Sequence, residues 1–149
     1  MLNHLSVLVA EDQPFIALDL ALAVEDAGGK VVGPAASCEE ALAFLAAGIV
    51  DAAIVDLNLV DGDSSAVVEV LVGLDIPFIV QTAVELPPAL AARFSGLVVQ
   101  IKPFPAATLV ARLEVLLAKH ERPVGETLEL RDGTPAVSTY PSGRARTAR

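Results

Sequence analysis

Five polar residues stand where apolar runs end. Glu11 and Asp12 follow Val7-Leu8-Val9-Ala10, and Asp56 follows residues 52–55. Thr82 closes the run that begins at Phe78, and Lys102 closes the one that begins at Val98. Three carboxylates brought into one partly desolvated crevice repel each other strongly unless a cation sits among them. An oxygen-only donor set with no histidine or cysteine favours a hard ion, and magnesium typically keeps several waters and adds phosphoryl oxygen. With a hydroxyl and an ammonium beside them, these groups suit a divalent cation together with a phosphoryl group.

The chemistry depends on the runs lying side by side. In a parallel sheet they all end at the same carboxyl edge, where open α/β sheets bind their ligands. The chain alternates apolar runs with helical patterns about five times, as repeated βα units do. The first strand covers 5–10, and a helix follows from about Pro14 with Phe15, Leu18 and Leu22 as its apolar face, stopping at Gly28-Gly29. A short second strand covers 30–33. The second helix opens at Ser37-Cys38-Glu39-Glu40, a capping box, and ends near Gly48. Strand three covers 52–56, and Asp61-Gly62 turns the chain into a helix that ends at Gly73. Strand four follows Pro77, Pro87-Pro88 open a short helix, and strand five ends at Ile101. The last helix runs from Pro105 to about Lys119, with Leu109, Leu113, Leu116 and Leu117 as its apolar face.

Composition agrees with one domain and a modest appendage in 149 residues. The mean hydropathy of +0.60 is high, yet no apolar stretch reaches the roughly 18 residues of a spanning helix. No secretory signal is present either, so the expectation is a cytoplasmic protein without a membrane partner. Strands buried on both faces explain the hydropathy. The net charge of −9 disfavours a nucleic-acid surface. The single cysteine, Cys38, offers no disulfide framework and reads as a packed small residue. His4 and His120 are the only histidines and sit near the domain ends, which leaves a catalytic histidine without support. Residues 1–122 form the expected domain. Residues 123–149 read as a disordered tail with a short extended piece at 127–131 and no output domain.

The order and spacing of these pieces resemble the receiver domain of two-component response regulators over about residues 5–119. The carriers are Val7-Leu8-Val9-Ala10-Glu11-Asp12, Ile54-Val55-Asp56-Leu57-Asn58, Pro77-Phe78-Ile79-Val80-Gln81-Thr82-Ala83 and Lys102-Pro103-Phe104. The resemblance implies a flavodoxin-like (βα)5 fold, a doubly wound parallel sheet of five strands in the order 2-1-3-4-5. It implies a Mg2+ ion bound directly by Asp12 and Asp56, through water by Glu11 and through the backbone carbonyl of Asn58. Asp56 is then the phosphoacceptor, with Thr82 and Lys102 holding the other phosphoryl oxygens and Lys102-Pro103 joined by a cis peptide. Partners implied are a histidine kinase or phosphotransfer protein and a downstream protein addressed in trans, and a homodimer is compatible with the type.

One departure stands out. Typical receivers carry an aromatic residue three positions before the lysine, and here that position is Val99. A stand-alone receiver that lacks the aromatic switch is therefore expected, with self-phosphorylation and self-dephosphorylation as its only chemistry. Two alternatives differ in class: an atypical receiver acting as a phosphorylation-independent interaction module, and an aspartyl-phosphate phosphohydrolase of the haloacid dehalogenase type. The second resembles the chain only at Asp56-Leu57-Asn58 and lacks its acid/base aspartate, because Asn58 stands there. Dinucleotide binding is disfavoured because Glu11-Asp12, and no glycine-rich turn, follows the first strand. Other acidic residues read as structural: Glu25-Asp26 and Glu39-Glu40 as helix faces, Asp51 as an exposed turn residue, and Asp61 and Asp63 as turn and cap groups.

Overall fold

A computed structural model describes residues 1–83, 85–94 and 96–132. The elements run β1 (Ser6–Ala10), α1 (Pro14–Asp26), β2 (Lys30–Ala35), α2 (Cys38–Ala46), β3 (Ala52–Asp56), β4 (Asn58–Leu59), β5 (Gly62–Asp63), α3 (Ser65–Gly73), β6 (Phe78–Thr82), α4 (Pro88–Arg93), β7 (Val99–Ile101) and α5 (Ala106–Asp132). Five strands form one parallel sheet in the order β2-β1-β3-β6-β7, the expected 2-1-3-4-5 order counted over the sheet strands. The turn expected at Asp61-Gly62 is a small antiparallel hairpin, with Asn58 opposite Asp63 and Leu59 opposite Gly62.

The strands are buried on both faces, as their unbroken apolar runs require. Val7 to Ala10 and Ala52 to Val55 are all fully buried. Alternation sends Leu8, Ala10, Ala53 and Val55 to one face, where they pack with Ala41 and Leu45 of α2 and Val67 and Leu71 of α3. Farther along, Leu57, Val68 and Val80 gather Leu90, Phe94 and Val99. Burying a side chain of the size of Leu8 contributes about 1.5–3 kcal/mol relative to leaving it in water.

Helix ends follow local chemistry. Ser37 Oγ accepts from the Glu40 N–H at 3.1 Å, and Glu40 Oε1 reaches back to the Ala36 N–H at 2.8 Å. Asp61 caps the same helix from outside, accepting from the N–H groups of Cys38 and Glu39. Asp63 accepts from both the N–H and the hydroxyl of Ser65 at the start of α3. Cap roles expected for both aspartates are thus observed. Asp51 differs from expectation: it is half-buried, and its Oδ2 accepts from the Ser6 N–H at 2.8 Å, fastening the start of β1.

Two further expectations are corrected. The face of α1 carrying Phe15, Leu18 and Leu22 points outward, and Phe15 is 84% exposed. Ala17, Leu20 and Val24 are buried instead. This helix is apolar nearly all round, so periodicity alone cannot choose its inner stripe. The short connection from β1 chooses it, because Gln13 N–H bonds Glu11 Oε2 and Gln13 C=O accepts from Ala17. At the other end, α5 continues to Asp132, past the expected stop near Lys119 and through the expected extended piece. Leu128, Glu129, Leu130 and Arg131 alternate as a strand would, but all four are straight-chain or γ-branched residues with good helix propensity. The chain divides into two units, Met1–Glu114 and Val115–Arg149; the α/β fold is the first. The part of the expected tail at 133–149 lies outside the described residues.

Candidate functional site

Parallel register brings the polar residues to one edge. Ala10 pairs with Val55, and Asp56 with Gln81. Thr82 pairs with Ile101. Each functional group therefore lies at a strand end or within two residues of it. Carboxylate oxygens of Glu11, Asp12 and Asp56 lie within 4.8 Å of one another. Lys102 Nζ reaches into the same crevice, 3.0 Å from Asp56 Oδ2 and 3.2 Å from Glu11 Oε1. The Lys102–Pro103 peptide is cis, and the Lys102 N–H donates to the Thr82 carbonyl at 2.7 Å. Thr82 is fully buried.

Asp56 is 6% exposed, and its Oδ1 accepts weakly from the Asn58 N–H at 3.4 Å. Asn58 itself is exposed, beside the site at the start of the hairpin. Glu11 is 2% exposed and takes three donors: the Gln13 N–H at 3.0 Å on Oε2, and on Oε1 the Lys102 ammonium and the Gln81 amide, the latter at 2.9 Å. Its main chain is placed by β2, whose Ala35 carbonyl accepts from the Glu11 N–H at 2.9 Å. Two residues before Ala35, Gly33 has φ +96° and leaves no room for a Cβ, since one would lie 2.7 Å from the Ala35 nitrogen.

The electrostatics follow from crowding. Burial raises the Glu11 carboxyl above its usual range, the Gln13 N–H works against that, and the Asp56 charge adds to it. Burial also works to lower the Lys102 ammonium, but its hydrogen bond and charge pairing with Asp56, with help from Glu11, outweigh this and leave it raised. Lys102 is thus held charged. Three acids against one ammonium leave a net negative crevice of hard oxygen donors, the composition that fits a divalent cation such as magnesium. The donor chemistry passes that test without histidine or cysteine.

Cys38 packs as expected. Its Sγ lies 3.3 Å from the Asp63 carbonyl, and burial, with the neighbouring Asp61, pushes the thiol up to about 11. A thiol shifted that way carries little thiolate near neutral pH, which disfavours a nucleophilic role. Val99 is half-buried and packs beside Leu57, Val68 and Val80. Gln81 was legible in the sequence only as a departure from the usual motif. The signal was an amide inside an otherwise apolar strand, which has to find a buried partner.

A five-stranded doubly wound sheet with acids, a hydroxyl and a lysine at its carboxyl edge defines the receiver class of α/β proteins. No protein-family profile matches the chain, and no curated protein does. Solved structures do. SdrG from Pseudomonas melonis Fr1, in its BeF3-activated conformation, is 35% identical with a TM-score of 0.61, over 78% of this chain and 98% of that one. The response regulator PhyR from Brucella abortus is 29% identical with a TM-score of 0.64, over 81% of this chain. This chain spans about half, 51%, of that PhyR. A response regulator receiver protein from Sinorhizobium medicae WSM419 shares the fold at 24% identity and a TM-score of 0.69, over 81% of this chain and all of that one. The chain belongs to the response regulator receiver domains. Among the described residues no helix is long and apolar enough to cross a membrane.

Proposed function

We propose that this chain accepts a phosphoryl group on Asp56 in a magnesium-dependent reaction and signals through a partner protein. The observation that carries the reading is the ion pair of Lys102 Nζ with Asp56 Oδ2 at 3.0 Å, inside a crevice where three carboxylates converge. An Asp56 oxygen attacks phosphorus, a P–O bond forms, and the P–N bond of a phosphohistidine donor breaks as the imidazole leaves with a proton. Asp12 and Asp56 would hold the magnesium directly, Glu11 through water and Asn58 through its carbonyl. Bound there, the ion neutralises charge on the transferring group. Lys102 supplies a positive charge for a second phosphoryl oxygen, and the Thr82 hydroxyl a donor for a third. Positioning and charge are most of what such a transfer needs.

The donor is a histidine kinase or phosphotransfer protein. The exposed apolar residues Phe15, Leu18 and Leu22 on α1, the helix that begins shortly after Glu11-Asp12, support a docking surface for that protein. Water hydrolysing the acyl phosphate would reset the switch, so the chain is a signalling phosphoacceptor and not a metabolic enzyme, acting in the cytoplasm. A relative solved in a BeF3-activated conformation supports the same chemistry.

Incubation with a small acyl phosphate and magnesium tests it. The expected product is one acid-stable, base-labile phosphoryl adduct, absent in Asp56→Asn. Unchanged labelling of Asp56→Asn would sink the assignment.

A further inference from the structure

We infer that Gln81 is a positioning residue of the ion site, its amide fixing the Glu11 carboxylate independently of Lys102; the inference rests on the magnesium-dependent reading above. Gln81 is 4% exposed at the end of β6, in register with Asp56. Its carbonyl accepts from the Leu57 N–H at 2.8 Å, so its main chain is tied to the residue after the phosphoacceptor. Its side chain crosses the end of β3 and donates to Glu11 Oε1 at 2.9 Å, a contact between residues 70 apart in sequence.

The two donors on Glu11 Oε1 are not equivalent. Lys102 is shared with Asp56 and sits on a long flexible stem. When it turns toward an incoming phosphoryl group, Glu11 loses that donor. Gln81, buried and pinned through its backbone, gives its amide to Glu11 and stays. With the Gln13 N–H on Oε2, Glu11 keeps one orientation through the cycle and faces the ion with both oxygens already hydrogen-bonded. That arrangement suits a ligand acting through water. Groups of this kind, one step back from the metal, typically alter metal affinity by about 10–100-fold when removed.

The test replaces Gln81 with methionine, which keeps length and volume and removes the amide. Magnesium chloride is titrated into the full chain and followed by amide chemical shifts, and acyl phosphate labelling is measured against magnesium concentration. In Gln81→Met, the magnesium dissociation constant and the half-saturating concentration for labelling should both rise about tenfold. The labelling rate at saturating magnesium should stay within about twofold of the parent, because Gln81 touches neither phosphoryl group nor Asp56 side chain. A general loosening of the sheet edge would instead lower the saturated rate without moving magnesium dependence, and that result overturns the inference. Should Gln81→Met not fold, Gln81→Asn keeps an amide but withdraws it by one methylene, and the same shift is expected. Asp12→Ala separates the two levels. Magnesium binding lost in Asp12→Ala but unchanged in Gln81→Met refutes the role of Gln81 alone. Equal or absent binding in the parent and Asp12→Ala removes the ion site itself, and this inference with it.

Discussion

Lys102→Ala should unfold more readily without divalent ions and be rescued by magnesium more strongly than the parent. Lys102 Nζ lies 3.0 Å from Asp56 Oδ2 and 3.2 Å from Glu11 Oε1. At an effective dielectric of about 20, each contact is worth roughly 5 kcal/mol of Coulomb attraction. Desolvation cancels most of this, since the lysine side chain is only 14% exposed and that of Glu11 wholly buried. Removing one partner of a buried pair costs about 3–5 kcal/mol, because the other charge is left uncompensated. The mouth of the crevice reaches water, so the lower end, about 3 kcal/mol, applies. For a domain of this size that is a fall of roughly 10 °C in Tm. Magnesium then becomes the only cation for Glu11, Asp12 and Asp56. At about 100 times its dissociation constant it restores about 2.7 kcal/mol, nearly the whole loss. In the parent the ion competes with the ammonium, so the gain in Tm is smaller. Thermal melts by circular dichroism, in EDTA and in magnesium, give both numbers. Coincident melts of the two proteins in EDTA, or equal shifts with magnesium, would refute the competition.

Cys38 should react slowly with thiol reagents in the folded protein: a thiol at about 11 in place of 9.0 has about a hundredfold less thiolate near pH 8. Ellman's reagent measures this, and a rate equal to that of the denatured chain counts against the packed thiol. Asp51→Ala removes the acceptor for the Ser6 N–H and should cost about 1–2 kcal/mol in urea unfolding, with most of it recovered in Asp51→Asn; no change in midpoint would deny the clamp. The Asp61 carboxyl is held below its ordinary 3.8 by the N–H of Cys38 and then that of Glu39. A depressed carboxyl stabilises the fold above the unfolded value and loses that contribution as pH falls through the folded one. Asp61→Asn should therefore be less stable at neutral pH and show a flatter loss of stability below about pH 4, read from unfolding midpoints across pH; parallel curves would contradict the cap.

Much of this molecule was determined by the chain itself. Apolar runs too long for one-sided strands demanded a sheet covered on both faces, and acids, a hydroxyl and a lysine at their ends placed the site, because parallel strands end together. Ser37 and Asp63 took cap roles that follow from nearest-neighbour hydrogen bonding, whereas Asp61 caps α2 from a distant part of the chain. Tertiary structure decided what local pattern leaves degenerate. The apolar stripes of α1 are equivalent in sequence, and only the connection through Glu11 and Gln13 turned Ala17, Leu20 and Val24 inward, leaving Phe15, Leu18 and Leu22 outside. Asp51 looked like a turn residue until the sheet brought Ser6 beside it. Gln81 found its partner just past the end of β1, 70 residues away. A contact across three strands depends on register and on which side chains share the edge, and no spacing along the chain encodes that.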